Sequence, residues 1–301
     1  MTTLLIDTDI QDDVDDVGAL AVACALSTAG VRLAGVTVST PSVWGARAAT
    51  AVLRHYGVAA PVAIDRGEDI FGPEEYARGV SRVFGTDRLG DFGRPVALLR
   101  SVLASSVEPV TVVAVGFHSN LAALLASPAD ELSPLTGVDL VHQAGAKLVV
   151  MGGCFDPDGP NAEFNFAHAP AVTRSVFERW PGLIDVVPWE VGAPILTGAD
   201  LLDHQGIASP VTVAYLLHSG YRMARPSWDP LTVLSAAGQP TPGLRWSEPG
   251  TVRIGPRGES TFAATAGGRH RIASLADDGT RLTAIINQLL YAPPTTGRRE
   301  P

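Results

Sequence analysis

Lysine and sulfur are scarce in this 301-residue chain. Lysine occurs once, at Lys147, and arginine supplies the other cations, so Asp and Glu outnumber Lys and Arg by 31 to 22 and the net charge is −9. Nucleic acids and anionic membrane surfaces are recognised by basic patches, so neither is expected as a partner. The two cysteines, Cys24 and Cys154, stand in an apolar and a Gly-rich stretch with no metal-ligand spacing. They read as buried thiols in a reducing compartment. The chain runs from Met1-Thr2-Thr3 straight into Leu4-Leu5-Ile6, without a basic leader or a signal-length apolar stretch. Uninterrupted apolar runs of membrane-spanning length, about 18 residues, are also missing. A cytoplasmic protein is expected. Internal repeats and long linkers are absent too, so one domain over residues 1–292 is expected, followed by a flexible, Pro-containing tail over 293–301.

What is present is apolar material, 46% of the residues, against 18% charged. That is enough for a large core and speaks against disorder. Short apolar runs alternate with stretches of helical spacing, the pattern of βαβ units: an α/β fold with a mostly parallel central sheet flanked by helices. Buried strands are expected at 4–6, 32–38, 110–115, 147–151 and 184–187. Helices are expected at 16–27, 44–56, 120–126, 170–180, 210–223 and 280–291. The segment from Trp246 to Leu275 is richer in Gly, Thr and Arg and alternates in character, so a small C-terminal β-hairpin region is expected there.

The most informative segment is Asp7-Thr8-Asp9-Ile10-Gln11-Asp12-Asp13-Val14-Asp15-Asp16, in which six carboxylates fall within ten residues. It follows an apolar strand and precedes an apolar helix, and ligands of parallel sheets bind at the carboxyl ends of strands. So many like charges wedged between buried elements repel one another unless solvent, the positive helix end or a cation offsets them. Oxygen-only donors with no His or Cys nearby suit a hard cation. Calcium, tolerant of crowded and irregular carboxylate sets, fits better than magnesium.

Here the sequence resembles the inosine-uridine type nucleoside hydrolases. One branch of that family carries Asp-Thr-Asp-Ile-Gly-x-Asp-Val-Asp-Asp, which residues 7–16 match except for Gln11 in place of glycine. Three further segments follow in the family's order: Val112 to Leu121 around Gly116-Phe117-His118-Ser119-Asn120, then Met151-Gly152-Gly153 with Ala162-Glu163-Phe164-Asn165-Phe166, then Ser227-Trp228-Asp229. The resemblance implies a Rossmann-like core and calcium-dependent hydrolysis of a ribonucleoside's N-glycosidic bond. It implies that Asp9 ligates Ca2+ and acts as general base, with Asp16, Asp229 and the Val115 carbonyl as the other ligands. Asp15 would bind the ribose 2′-hydroxyl and help orient the water, with Glu163 and Asn165 on the 3′- and 5′-hydroxyls. Ser42 stands where the family has an asparagine, as a shorter diol contact. A homo-oligomer, dimer or tetramer, is also implied.

Trp228 stands where many pyrimidine-tolerant members carry a histidine proposed as leaving-group acid. In purine-preferring members a tryptophan precedes the late aspartate and stacks on the base, so Trp228 is expected to stack likewise and to favour purines. Trp44 is a second candidate wall, with core packing the competing reading for both. His118 and His168 read as structural histidines, and Trp180, Trp189 and Trp246 as packing. Three other readings compete. A phosphotransferase of the haloacid dehalogenase kind also begins with Asp-x-Asp, but it leaves Asp15-Asp16 unexplained and needs a later lysine. A non-catalytic ribose- or nucleoside-binding protein would keep the calcium pocket without turnover. A hydrolase of an unusual, pathway-specific riboside would use the same ribose contacts.

Overall fold

The structure is a computed structural model and describes residues 1–11, 13–65 and 75–294. Asp12 and, from residue 295 on, the expected tail lie outside the described residues. Twelve strands are present among the described residues: β1 (Thr2–Thr8), β2 (Val31–Val38), β3 (Val62–Ile64), β4 (Val110–Ala114), β5 (Lys147–Met151), β6 (Ile184–Val187), β7 (Leu196–Thr197), β8 (Arg225–Pro226), β9 (Leu244–Trp246), β10 (Gly250–Ile254), β11 (Ser260–Ala264) and β12 (His270–Leu275). The main sheet runs β11-β10-β12-β6-β5-β4-β1-β2-β3, with β9 on β12; β7 and β8 pair separately. From β3 to β12 every neighbouring pair is parallel.

The order 3-2-1-4-5-6 is that of a doubly wound sheet, in which the crossovers change direction between β1 and β4. At that switch point the connections leave on opposite faces and open a crevice beyond the carboxyl ends. Alternate residues of each strand supply opposite faces. Leu4, Ile6, Val113, Val149 and Met151 belong to one apolar cluster, and Leu5, Val112, Ala114, Leu148 and Val150 to the other. This two-sided burial makes the strands read as continuous apolar runs. Helices Asp15–Ala25, Val43–His55, Pro210–His218, Trp228–Ala236 and Thr280–Leu290 cover the first face; Pro95–Ser105, Ser119–Ala126, Gly137–Gln143 and Pro170–Arg179 cover the second.

The differences from expectation have local causes. β1 extends to both sides of its apolar centre because polar Asp7 and Thr8 continue the ladder toward the site. The helix expected over 210–223 ends at His218, just before Gly220 at φ 95°. Only β10 and β11 form the expected hairpin. β12 pairs antiparallel with β9 and, at His270, with β10, and also lies parallel to β6, where Arg271 donates to Asp185 (Nε–Oδ1 2.8 Å). No helix among the described residues is long and apolar enough to cross a membrane.

Candidate functional site

Beyond the carboxyl ends of β1, β4 and β5 lies a cavity of about 260 Å³. Asp9, Asp13, Asp15, Asp16, Val115, Met151, Glu163, Phe164, Asn165, Trp189, Arg225, Trp228 and Asp229 line it. The chain reaches this arrangement through close backbone approach. Asp9 leaves β1 against Gly116, where an added Cβ would lie 2.4 Å from the Asp9 nitrogen, so a larger residue at 116 would push the two strand ends apart. Gln11, at the branch's usual glycine position, has φ 156°, a conformation that glycine takes without strain.

Asp15 and Asp16 open helix Asp15–Ala25, buried from Asp15 to Cys24, where the positive end of the helix dipole favours their carboxylates. Asp229 comes from the first turn of helix Trp228–Ala236, which packs on that same helix. One carboxylate oxygen from each of Asp15, Asp16 and Asp229 falls within 4.8 Å of the others, and all three residues are buried. Burial is the main force raising each carboxyl well above its ordinary value, and neighbouring carboxylates add to it: Asp13 first for Asp15, Asp9 first for Asp16, Asp15 first for Asp229. The protein offsets little of this. Thr8 Oγ1 donates to Asp16, and the Asp229 amide donates to Asp15 (3.0 Å). Three desolvated carboxylates with only these donors among the described residues make a site that a small divalent cation would stabilise, and their oxygen-only chemistry fits a hard ion.

Behind the trio, Asp7 is fully buried. Its Oδ1 accepts from Thr37 (2.6 Å) and Asn120 (2.7 Å), and burial pushes its carboxyl up to about 7. Glu163 caps the short helix Phe164–His168. Its Oε1 accepts from the Asn165 amide (2.8 Å), and its Oε2 from Gly153 (3.0 Å) and Phe166 (3.1 Å). The Asn165 side-chain amide donates to the Val115 carbonyl (3.3 Å), tying two residues expected at the site to each other. Trp228 is pinned by its Nε1 on the Trp189 carbonyl (2.8 Å), with the two rings inclined by 29° at 6.3 Å. A Cβ at Gly192 would strike the Trp228 ring, so glycine there admits the indole.

Asp9, Asp15, Asp16, Val115, Glu163, Asn165, Trp228 and Asp229 line one cavity. Ser42 and Trp44 do not line it. Ser42 caps helix Val43–His55 by accepting from the Trp44 amide (3.2 Å), and the Trp44 ring lies against the Arg47 guanidinium at 4.4 Å. Trp189, expected to be packing, is a cavity wall, and Asp13, Arg225, Met151 and Phe164 join it. The place of Trp189, just past the carboxyl end of β6, was the one available signal for it. No histidine lines the cavity among the described residues. His118 is buried beside Thr173 (3.2 Å), with burial pushing its ring down to about 4, and His168 stacks on Phe117.

A doubly wound α/β protein with an acidic cavity at its switch point is thus defined. The chain belongs to the inosine-uridine preferring nucleoside hydrolase family, whose profile matches residues 4–283. A pyrimidine-specific ribonucleoside hydrolase of Klebsiella pneumoniae is 38% identical over 85 residues, 28% of this chain and 24% of that protein. A non-specific ribonucleoside hydrolase of Salmonella agona is 29% identical over 185 residues, 58% of this chain and 56% of that one. The chain thus spans at most about half the length of these curated relatives. The solved structure of an inosine-uridine preferring nucleoside hydrolase from Bacillus anthracis shares the fold with a TM-score of 0.68. It is 19% identical and covers 97% of this chain and 99% of that one.

Proposed function

We propose that the protein hydrolyses the N-glycosidic bond of a ribonucleoside to free base and ribose, and that the reaction depends on calcium. The observation that carries this reading is the buried trio Asp15, Asp16 and Asp229, which with Asp9 lines a cavity also lined by Phe164, Trp189 and Trp228. Asp9, Asp16, Asp229 and the Val115 carbonyl would hold the ion, which when bound supplies Lewis acidity and a charge for the sugar's vicinal hydroxyls. Asp9 takes the proton of the attacking water. Asp15 accepts from the 2′-hydroxyl, its orientation set by the Asp229 amide. Breaking the C1′–N bond leaves positive charge on the ribosyl ring, and the surrounding carboxylates stabilise it more than they stabilise the neutral substrate. Glu163, fixed by three backbone donors, keeps lone pairs for a 3′- or 5′-hydroxyl, and Asn165 offers its amide oxygen beside it. Trp228 and Trp189 give the base a stacking surface. That surface accepts any flat base, and the preference for purines expected from Trp228 alone finds no support in relatives that are pyrimidine-specific or non-specific.

The test is base release from a panel of purine and pyrimidine ribosides, with calcium and after chelation, by wild type and Asp9→Ala. Calcium-dependent release that the variant loses supports the proposal. Intact calcium and ribose binding without release of any base would replace it with a binding protein.

A further inference from the structure

Arg225 is the only basic side chain lining the cavity among the described residues, set amid six carboxylates. It lies on β8, three residues ahead of Trp228. Its guanidinium sits 5.4 Å from the Trp228 ring centre, on the same wall as the indole pair. Its Nε donates to Asp13 Oδ1 (2.9 Å) and one terminal amino group to Asp13 Oδ2. Asp13 is itself held by the Val14 amide (2.6 Å) at the entry to helix Asp15–Ala25. The second terminal amino group has no protein partner among the described residues. The guanidinium is thus oriented in a fixed plane by Asp13, is always charged, and keeps donors to spare.

An arginine cannot deliver a proton at neutral pH, yet it stabilises an anion well. With no histidine lining the cavity, the base side of the site holds a fixed cation where a proton donor would otherwise stand. From this we infer that Arg225 is the catalytic residue of the leaving group and that the base departs as an anion. In this step, which rests on the hydrolase proposal above, the water oxygen bonds to C1′ and its proton passes to Asp9. The C1′–N bond breaks with its electron pair going to the base. The base anion is held at the free Arg225 amino group and takes its proton from solvent afterwards. A base protonated before departure would instead bring positive charge against the guanidinium.

The test is a leaving-group series of uridine, 5-fluorouridine and 4-nitrophenyl β-D-ribofuranoside, run with wild type, Arg225→Gln and Arg225→Lys. The expected loss of kcat/KM in Arg225→Gln is about 100-fold on uridine, the scale of one lost anion-stabilising donor. It is smaller on 5-fluorouridine and smallest on the nitrophenyl riboside, whose leaving group is a good anion unaided. Arg225→Lys, which keeps the charge but not the fork, follows the same ranking at lower amplitude and serves if the glutamine variant fails to fold. An equal loss on all three substrates, or no loss, overturns the inference and leaves Arg225 as a brace for Asp13. Failure of wild type on every member and on the purine ribosides of the panel above would take down the hydrolase proposal itself.

Discussion

Two buried acidic groups of this molecule are treated in opposite ways. On β6, Asp185 is 1% exposed and fully compensated: Lys147, the only lysine, reaches it at 2.5 Å, and Arg271 adds a two-pronged contact at 2.7 and 2.8 Å. At the switch point, Asp15, Asp16 and Asp229 are as deeply buried, yet their neighbours are further carboxylates, and Arg225, the one basic side chain lining the cavity among the described residues, is engaged by Asp13. A chain that supplies two cations to one buried acid places none in direct contact with these three among the described residues. Unpaired buried charge is costly, so the difference marks the trio as a place where something from outside the chain supplies the counter-charge. A larger concavity, about 550 Å³, sits at the amino-terminal end of β12, but it holds no such cluster, and volume alone is a poorer guide than uncompensated charge.

The comparison can be broken on its catalytic side first. Asp9→Ala should lower kcat for riboside hydrolysis by about three orders of magnitude, the range of a lost general base, as read by steady-state base release. Its stability side predicts opposite signs for one chemical change. Asp185→Asn should cost about 2 kcal/mol in urea unfolding, less than a fully dry pair because Lys147 and Arg271 are each about a third exposed. Asp16→Asn should instead stabilise the metal-free protein by removing one of the repelling charges.

Calcium sharpens the contrast further. At 100 times its dissociation constant it should add about 2.7 kcal/mol to wild type and little to Asp16→Asn, measured by thermal shift. The effect should depend on pH in a definite direction. The trio's carboxyls are raised above their unfolded values, so their favourable contribution is complete below about pH 4 and is lost as pH rises through the raised values. The metal-free protein should therefore melt lower at about pH 8 than at about pH 5.5, calcium should narrow that gap, and Asp16→Asn should flatten it. The smallest effect separates Ser42 from the site. Ser42→Ala should cost about 1 kcal/mol as a lost helix cap and leave KM for ribosides unmoved, whereas a diol contact would raise it.

Local signals carried much of this architecture. The strands β5 and β6 match the apolar runs 147–151 and 184–187, because both faces of each are buried; the one acid within them, Asp185, is paired with Lys147 and Arg271. β3, three residues long, and helix Pro95–Ser105 were not anticipated; a strand that short offers too few residues for periodicity to register. At the site, Asp9, Asp15 and Asp16 were legible because they crowd one loop between two apolar elements. The Arg225–Asp13 pair was not, since 212 residues separate its partners and nothing in the sequence around Arg225 points to the acidic loop. Ser42 and Trp44 misled for the reverse reason. They follow β2 as ligand-binding residues do, yet the backbone there turns at once into a helix and uses the hydroxyl as its cap.

The most direct test of the central claim is calorimetric titration of calcium into the chelator-stripped protein, with riboside hydrolysis followed on the same samples. One calcium per chain, binding lost in Asp16→Asn and in Asp229→Asn, and hydrolysis rising in proportion to occupancy are the predicted results. Hydrolysis that persists after chelation, or calcium binding that survives both substitutions, would contradict the account.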